Sequence, residues 1–250
     1  VVVLFHQIPS SSLMYVPLMS RLLDRGLSSI APDFPGFGDS PRWASQPSLL
    51  MIAEAVFELL DFLDAERVTL FGHHSGASMA VQMAALNPDR VDAIILSGTP
   101  LLSSGQQERL VQGLLELETL ENEPKRSLIQ SRIAAKAAGV SERVIDREVD
   151  MALDAGSEYL KGYQMVFDHP LASQLEALDL PGTTIMGEYD SLNFVQRGVE
   201  ALLPEWAHHG VPGAGTYLCE THAGVLADIL QRSAFPVDEK ARTRRGSGRS

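Results

Sequence analysis

The segment Val68-Thr-Leu-Phe-Gly72-His73-His74-Ser75-Gly76-Ala77 concentrates more chemistry than any other part of the chain. A β-branched, apolar run passes straight into Gly-x-His-x-Gly and then into a stretch of small residues, the shape of a nucleophile elbow between a strand and a helix. The residue at such a tip is held in a strained, left-handed conformation. The positions two before and two after it must therefore be glycine or very small for strand and helix to approach. Gly72 and Gly76 meet that demand around His74. The tip is thus an imidazole, a side chain that titrates near pH 6.5 in general and serves as a general base or, less commonly, as a nucleophile. Ser75 follows it with a hydroxyl turned about 100° around the new helix. His169, His208 and His209 read as structural. His208 and His209 are neighbours in a strand, so they point to opposite faces and cannot chelate one ion, and His169 precedes a proline in a loop. No metal and no cofactor are expected.

The elements that must position this elbow alternate along the chain. Strands are predicted at 1–5, 27–31, 68–71, 91–96, 183–186 and 206–211, with helices at 13–25, 49–63, 75–86, 192–202 and 220–231. Ser48 caps the second helix, and Asn87-Pro88 ends the third. Strands alternating with amphipathic helices imply a parallel sheet covered on both faces, an α/β fold. The block 101–180 breaks the alternation. It holds no strand-like run, and Leu110, Leu114, Ile129, Ile133, Val149 and Leu153 recur at helical spacing, with Ser104 and Gln107 as a capping-box pair and Ser141 as a later cap. A helical insertion at the strand C-terminal edge, where such sheets bind ligands, reads as a lid over a core of 1–100 and 181–236.

Composition agrees with one compact body. Of 250 residues 45% are hydrophobic and 21% charged, enough for a sizeable core. Lys plus Arg number 20 against 32 Asp plus Glu, a formal charge of −12 that argues against a nucleic-acid partner. The stretch 237–250 is polar, Gly/Ser-containing and holds five basic and two acidic residues; it is expected to be disordered, and the acidity belongs to the body. The single Cys219 allows neither an intrachain disulfide nor a thiolate cluster, so a reducing, cytoplasmic location is expected, and it reads as a small buried hydrophobe. No apolar run approaches the roughly 18 residues of a membrane span, and no signal peptide is visible. Because the sequence opens on Val1 in mid-strand, segments upstream are expected to be missing.

Taken together, these motifs resemble the α/β-hydrolase superfamily over nearly the whole chain. His6-Gln7-Ile8-Pro9 is similar to the family's His-Gly-x-Pro loop, and Ala31-Pro-Asp33-Phe-Pro35-Gly36-Phe-Gly38-Asp39-Ser40 to its Pro-Asp-x-Pro-Gly-x-Gly-x-Ser loop. Met186-Gly187-Glu188-Tyr189-Asp190 matches the strand that ends in the triad acid, and the helical block takes the place of the family's cap. The resemblance implies an oxyanion hole from the backbone N–H groups of Ile8 and Ser75, and two edge strands preceding Val1. The triad itself departs from the pattern. His74 stands where Ser, Cys or Asp is usual, and Thr216, after Val211-Pro-Gly213-Ala-Gly215, stands where the catalytic histidine is usual. Only Asp190 matches, so the usual mechanism does not transfer with the fold.

Three readings follow. His74 and Asp190 can form a relocated dyad beside an intact oxyanion hole, suited to hydrolase, lyase or cyclase chemistry on a small apolar carbonyl or ester compound. Alternatively, Ser75 is a shifted nucleophile with His222 as its base. In the third reading the site is inactive and binds a ligand or a protein. Convergence of Gln7, Thr216 and His222 on His74 is the feature that separates them, while His6 is expected to organise its loop. Met14, Tyr15, Phe34, Phe37, Trp43, Tyr159, Tyr163, Met165 and Phe167 are candidates for an apolar pocket, although such spacing more often marks core. The expected partner is a small molecule.

Overall fold

The computed structural model describes residues 1–42 and 46–234; Trp43 and the stretch 237–250 lie outside the described residues. Six strands form one sheet: β1 (Val2–Phe5), β2 (Ser29–Ile30), β3 (Val68–His73), β4 (Val91–Ser97), β5 (Gly182–Tyr189) and β6 (Ala207–Gly215). Their order is β2-β1-β3-β4-β5-β6, and each neighbouring pair is parallel. The elbow strand β3 thus sits at the centre, between β1 and β4, and the acid-bearing β5 is two places away.

Alternation along the strands divides the core into two layers, because successive side chains of a strand leave opposite faces. Val3, Phe5, Leu70, Ile94 and Leu96 enter one cluster with α2 (Leu49–Phe62) and α3 (Ser75–Leu86). Val2, Leu4, Phe71, Ile95 and Ile185 enter the other with α1 (Val16–Leu23) and α11 (Ala223–Ala234). Strands buried on both faces explain the unbroken apolar runs of the sequence. Ser48 caps α2 as expected, its hydroxyl accepting from the Met51 N–H at 3.2 Å.

Between β4 and β5 run α4 (Ser104–Glu118), α5 (Asn122–Ala134), α6 (Glu142–Ala155), α7 (Ser157–Phe167) and α8 (Leu171–Ala177). Leu114, Leu117, Ile129, Ile133 and Val149 form a third cluster within this block, and Tyr217 reaches into it from the sheet side. Met165, Val166, Leu171 and Leu175, from α7 and α8, join the sheet-side cluster instead, tying the insertion to the core. The capping box at the start of α4 is Ser103 with Gln106, one residue before the expected pair; the Ser103 N–H donates to Gln106 Oε1 at 2.8 Å. Both registers satisfy Ser-x-x-Gln, so the pattern alone does not choose between them. The expected helix 220–231 is two: α10 (Leu218–Thr221) ends where His222 leaves helical geometry at φ −124°, before α11 begins. There the Thr221 hydroxyl bonds back to the Tyr217 carbonyl at 3.2 Å, a side-chain contact that competes with the helix. Between β5 and β6 lies α9 (Gln196–Leu202). Among the described residues no helix is long and apolar enough to cross a membrane.

Candidate functional site

His74 adopts φ 51° and ψ −118° at the sharp passage from β3 to α3. Both flanking glycines are required sterically. A Cβ on Gly72 would lie 2.2 Å from the Gly76 carbonyl oxygen, and one on Gly76 would lie 1.9 Å from that of Phe5. The His74 N–H donates to the Ser97 carbonyl at 2.8 Å, fastening the tip to the end of β4. Next to Ser97, Gly98 has φ +59°, and a Cβ there would meet His74 Cδ2 at 2.4 Å, so the imidazole occupies space that only glycine leaves free.

The elbow imidazole is aimed at the end of β5. His74 Nε2 lies 3.0 Å from each Asp190 carboxylate oxygen, and Oδ1 also accepts the Leu192 N–H at 2.7 Å. The Asp190 side chain is fully buried. Burial pushes its pKa up, but the charge and hydrogen bond of His74, with the Leu192 N–H, outweigh it and hold the carboxyl well below the usual range. An ionised carboxylate only accepts, so Nε2 carries the proton and Nδ1 is the basic nitrogen. Nδ1 has no partner among the described residues, and the ring lines a cavity of about 490 Å³.

His73 lies behind this pair, its ring centroid 4.3 Å from that of His74. Its Nε2–H donates to the Thr216 carbonyl at 2.8 Å, and its Nδ1 accepts from the Ser97 hydroxyl at 3.0 Å. Burial, then the neighbouring His74, lowers its pKa to about 3, so it is a neutral, fully bonded support. His73, His74 and Asp190 bring ligand atoms within 4.8 Å of one another, yet both His73 nitrogens are committed, which leaves this trio without a third free donor for a metal ion.

On the β1 side, His6 is buried: its Nε2 accepts the Phe34 N–H and its Nδ1–H donates to the Gln7 carbonyl, each at 2.9 Å. These bonds join the 6–10 loop to the 33–40 loop. Asp33 braces the latter by accepting from Ser12 N–H at 2.6 Å and Asp39 N–H at 3.1 Å. Ile8 and Ser75 do meet across the elbow, although not as two empty donors. The Ile8 N–H donates to Ser75 Oγ at 2.6 Å, so the serine hydroxyl stands where an oxyanion was expected and retains its own proton to donate.

Gln7, Thr216 and His222 do not converge on His74. None of the three lines the cavity. The Gln7 carbonyl accepts from His6, the Thr216 hydroxyl exchanges bonds with Ser191, accepting its N–H and donating to its Oγ at 3.1 Å each, and His222 Nδ1 pairs with the Thr221 hydroxyl at 2.8 Å. The alternative pairing of Ser75 with His222 is not formed, because Ser75 Oγ is engaged by the Ile8 N–H and the break between α10 and α11 turns His222 Nδ1 toward Thr221. Met14, Tyr15, Phe34 and Phe37 are packed in the core, whereas Tyr163 and Phe167 line the cavity. Cys219 is buried, and burial pushes its thiol pKa up.

Two cations of the helical block, Arg109 and Lys136, also line the cavity, and sequence reasoning missed both. The available signal was a single lysine inside Ala134-Ala-Lys136-Ala-Ala138, a charged residue where small residues otherwise let α5 end close to the sheet.

A family model described as the alpha/beta hydrolase fold matches residues 1–133. A haloalkane dehalogenase of Psychrobacter cryohalolentis is 30% identical over 148 residues, covering 58% of this chain and 48% of that protein. An uncharacterised Mycobacterium tuberculosis protein, Rv2715, is 28% identical over 149 residues, covering 59% and 42%. The chain thus spans about half or less of the length of these relatives. Among solved structures, a thermophilic esterase from Thermogutta terrifontis superposes with a TM-score of 0.78 at 20% identity, over 94% of this chain and 90% of that one, a likeness of fold. With its parallel sheet, its central elbow and more than half of its length matched by the family model, the chain belongs to the alpha/beta hydrolase fold family.

Proposed function

We propose that this protein is an enzyme that hydrolyses a small ester-like carbonyl compound with a largely apolar body, using His74 as a general base oriented by Asp190. The observation that carries the reading is the grip of both Asp190 oxygens on His74 Nε2, which leaves Nδ1 as the free basic nitrogen of a ring that lines the cavity. In this reading Nδ1 takes a proton from water as the water oxygen bonds to the carbonyl carbon. The negative charge that develops on the carbonyl oxygen is met by the Ser75 O–H, polarised by the Ile8 N–H it accepts. As the carbonyl re-forms, the C–O bond to the leaving group breaks and Nδ1–H returns the proton to it. Ester and water give acid and alcohol, and the imidazole ends as it began.

The test is a turnover comparison on a panel of short-chain esters and thioesters. His74→Ala should lower kcat by about two to four orders of magnitude, and Asp190→Asn by about two or more, since the amide no longer fixes the tautomer. Ser75→Ala frees the Ile8 N–H to serve directly and should cost less than about tenfold. Unchanged turnover in His74→Ala overturns the reading. Covalent labelling of Ser75 by an organophosphonate would instead make that serine the nucleophile, and ligand-induced stabilisation with no turnover from pH 6 to 9 would make the protein a binder.

A further inference from the structure

We propose that the cavity takes substrates carrying a carboxylate, paired with Lys136 and, at the rim, with Arg109, while the reacting carbonyl lies at His74. The proposal rests on the functional reading above and names its substrate class. Among the described residues no Asp or Glu lines the cavity, although the chain as a whole carries a formal charge of −12. The formally charged lining groups are thus the two cations, one from α4 and one just past the end of α5. Neither has a carboxylate within 4.0 Å among the described residues, in contrast to Arg25, Arg67, Arg90, Arg132 and Arg147, which all do.

A half-buried ammonium in mostly apolar surroundings needs a counter-charge, and the structure commits the nearby ones elsewhere. Asp190 is held by His74 and the Leu192 N–H; Glu148 is held by Arg147 and the Ser10 hydroxyl. Burial lowers the Lys136 pKa, with Asp190 and Glu148 only partly opposing it and Arg132 adding to it. A ligand carboxylate would supply the missing charge. A lysine presents a point charge rather than a planar fork, and Arg109 is exposed, so the arrangement suits one carboxylate better than a doubly charged phosphate, which gathers bidentate arginine and backbone N–H contacts.

The test uses the full chain and an unreactive pair of probes, levulinate and levulinamide, which share a ketone and differ in charge. Calorimetric titration at low salt should show levulinate binding about tenfold tighter or more, with the preference shrinking as salt rises. Lys136→Met should bring the two probes to within about twofold, Lys136→Arg should keep most of the preference, and Arg109→Gln should weaken it by about two- to threefold. Equal binding of the two probes, a preference unchanged in Lys136→Met, or tighter binding of a matched phosphate monoester would overturn the assignment. The two readings fail separately: levulinate preference without ester turnover removes only the hydrolytic reading, and ester turnover without that preference removes only the carboxylate assignment.

Discussion

Lowering the pH from 7 to 5 should destabilise this protein partly through His73, a residue that touches no substrate. Its ring is fully buried, with Nε2–H on the Thr216 carbonyl and Nδ1 on the Ser97 hydroxyl, and its pKa is lowered from 6.5 to about 3 by burial and by His74. The unfolded chain therefore binds this proton first. Stability is fully present above about pH 6.5 and is lost as pH falls toward about 3, below which no further loss comes from this group. At about 1.4 kcal/mol per pH unit, the gap corresponds to a ceiling of about 5 kcal/mol, of which about 2 kcal/mol falls between pH 7 and 5. In His73→Gln the amide can still donate to Thr216 but cannot titrate. Urea unfolding of both proteins at pH 7 and pH 5 isolates the effect, because the other histidines contribute equally to each. The wild type should lose about 2 kcal/mol more than the variant over this interval. Equal losses, within about 0.5 kcal/mol, would refute the claim that His73 is a neutral support.

Gly98→Ala should cost about two orders of magnitude in kcat or more, since its Cβ would lie 2.4 Å from His74 Cδ2 and push the ring off Asp190; Gly210→Ala, with nothing within 4 Å, is the neutral control. Full activity in Gly98→Ala would show that the ring position is not needed. Arg147→Met should destabilise the protein by about 2 kcal/mol at pH 7 and expose the helical block to limited proteolysis, because Arg147 bridges buried Glu148 of α6 to Glu220 of α10. The Glu148 pKa is raised by burial, against the pull of Arg147. The folded state therefore holds that proton more readily than the unfolded chain, and the variant's deficit should shrink as pH falls through the acidic range. A deficit constant with pH would count against a charged Glu148.

The sheet was legible because its central strands β1, β3 and β4 bury both faces, and runs such as Val91 to Leu96 have no other use for so many apolar residues. The elbow was legible because Gly72 and Gly76 are dictated by backbone contacts under 3 Å. What escaped the sequence were relations between side chains far apart in the chain. Ser75 accepting from Ile8, 67 residues away, depends on a hydroxyl rotamer, and Lys136 reaching the cavity depends on how α5 ends against the sheet. His222 was a candidate base on sequence grounds, and only the structure shows that its Nδ1 is turned to Thr221 and that the residue stays out of the cavity. Periodicity reports which face of an element is buried, not what that face meets.

With the working imidazole at the elbow, as proposed above, the loop after β6 has a different task. An acid as deeply buried as Asp190 requires a hydrogen-bonded partner, because an unpaired carboxylate would either neutralise or cost several kcal/mol. His74 supplies that partner from β3, and Gly98 makes the room. The loop after β6 then serves as a brace. Its Thr216 carbonyl fixes the tautomer of His73, and the Thr216 hydroxyl ties down Ser191 beside the acid. Simple erosion of a triad would leave the acid without a partner and Thr216 without a function. Here both oxygens of Asp190 and both nitrogens of His73 are engaged, while the unengaged imidazole nitrogen of the cluster belongs to His74, the residue that lines the cavity. That distribution of satisfied and unsatisfied groups favours a working dyad over a decayed site.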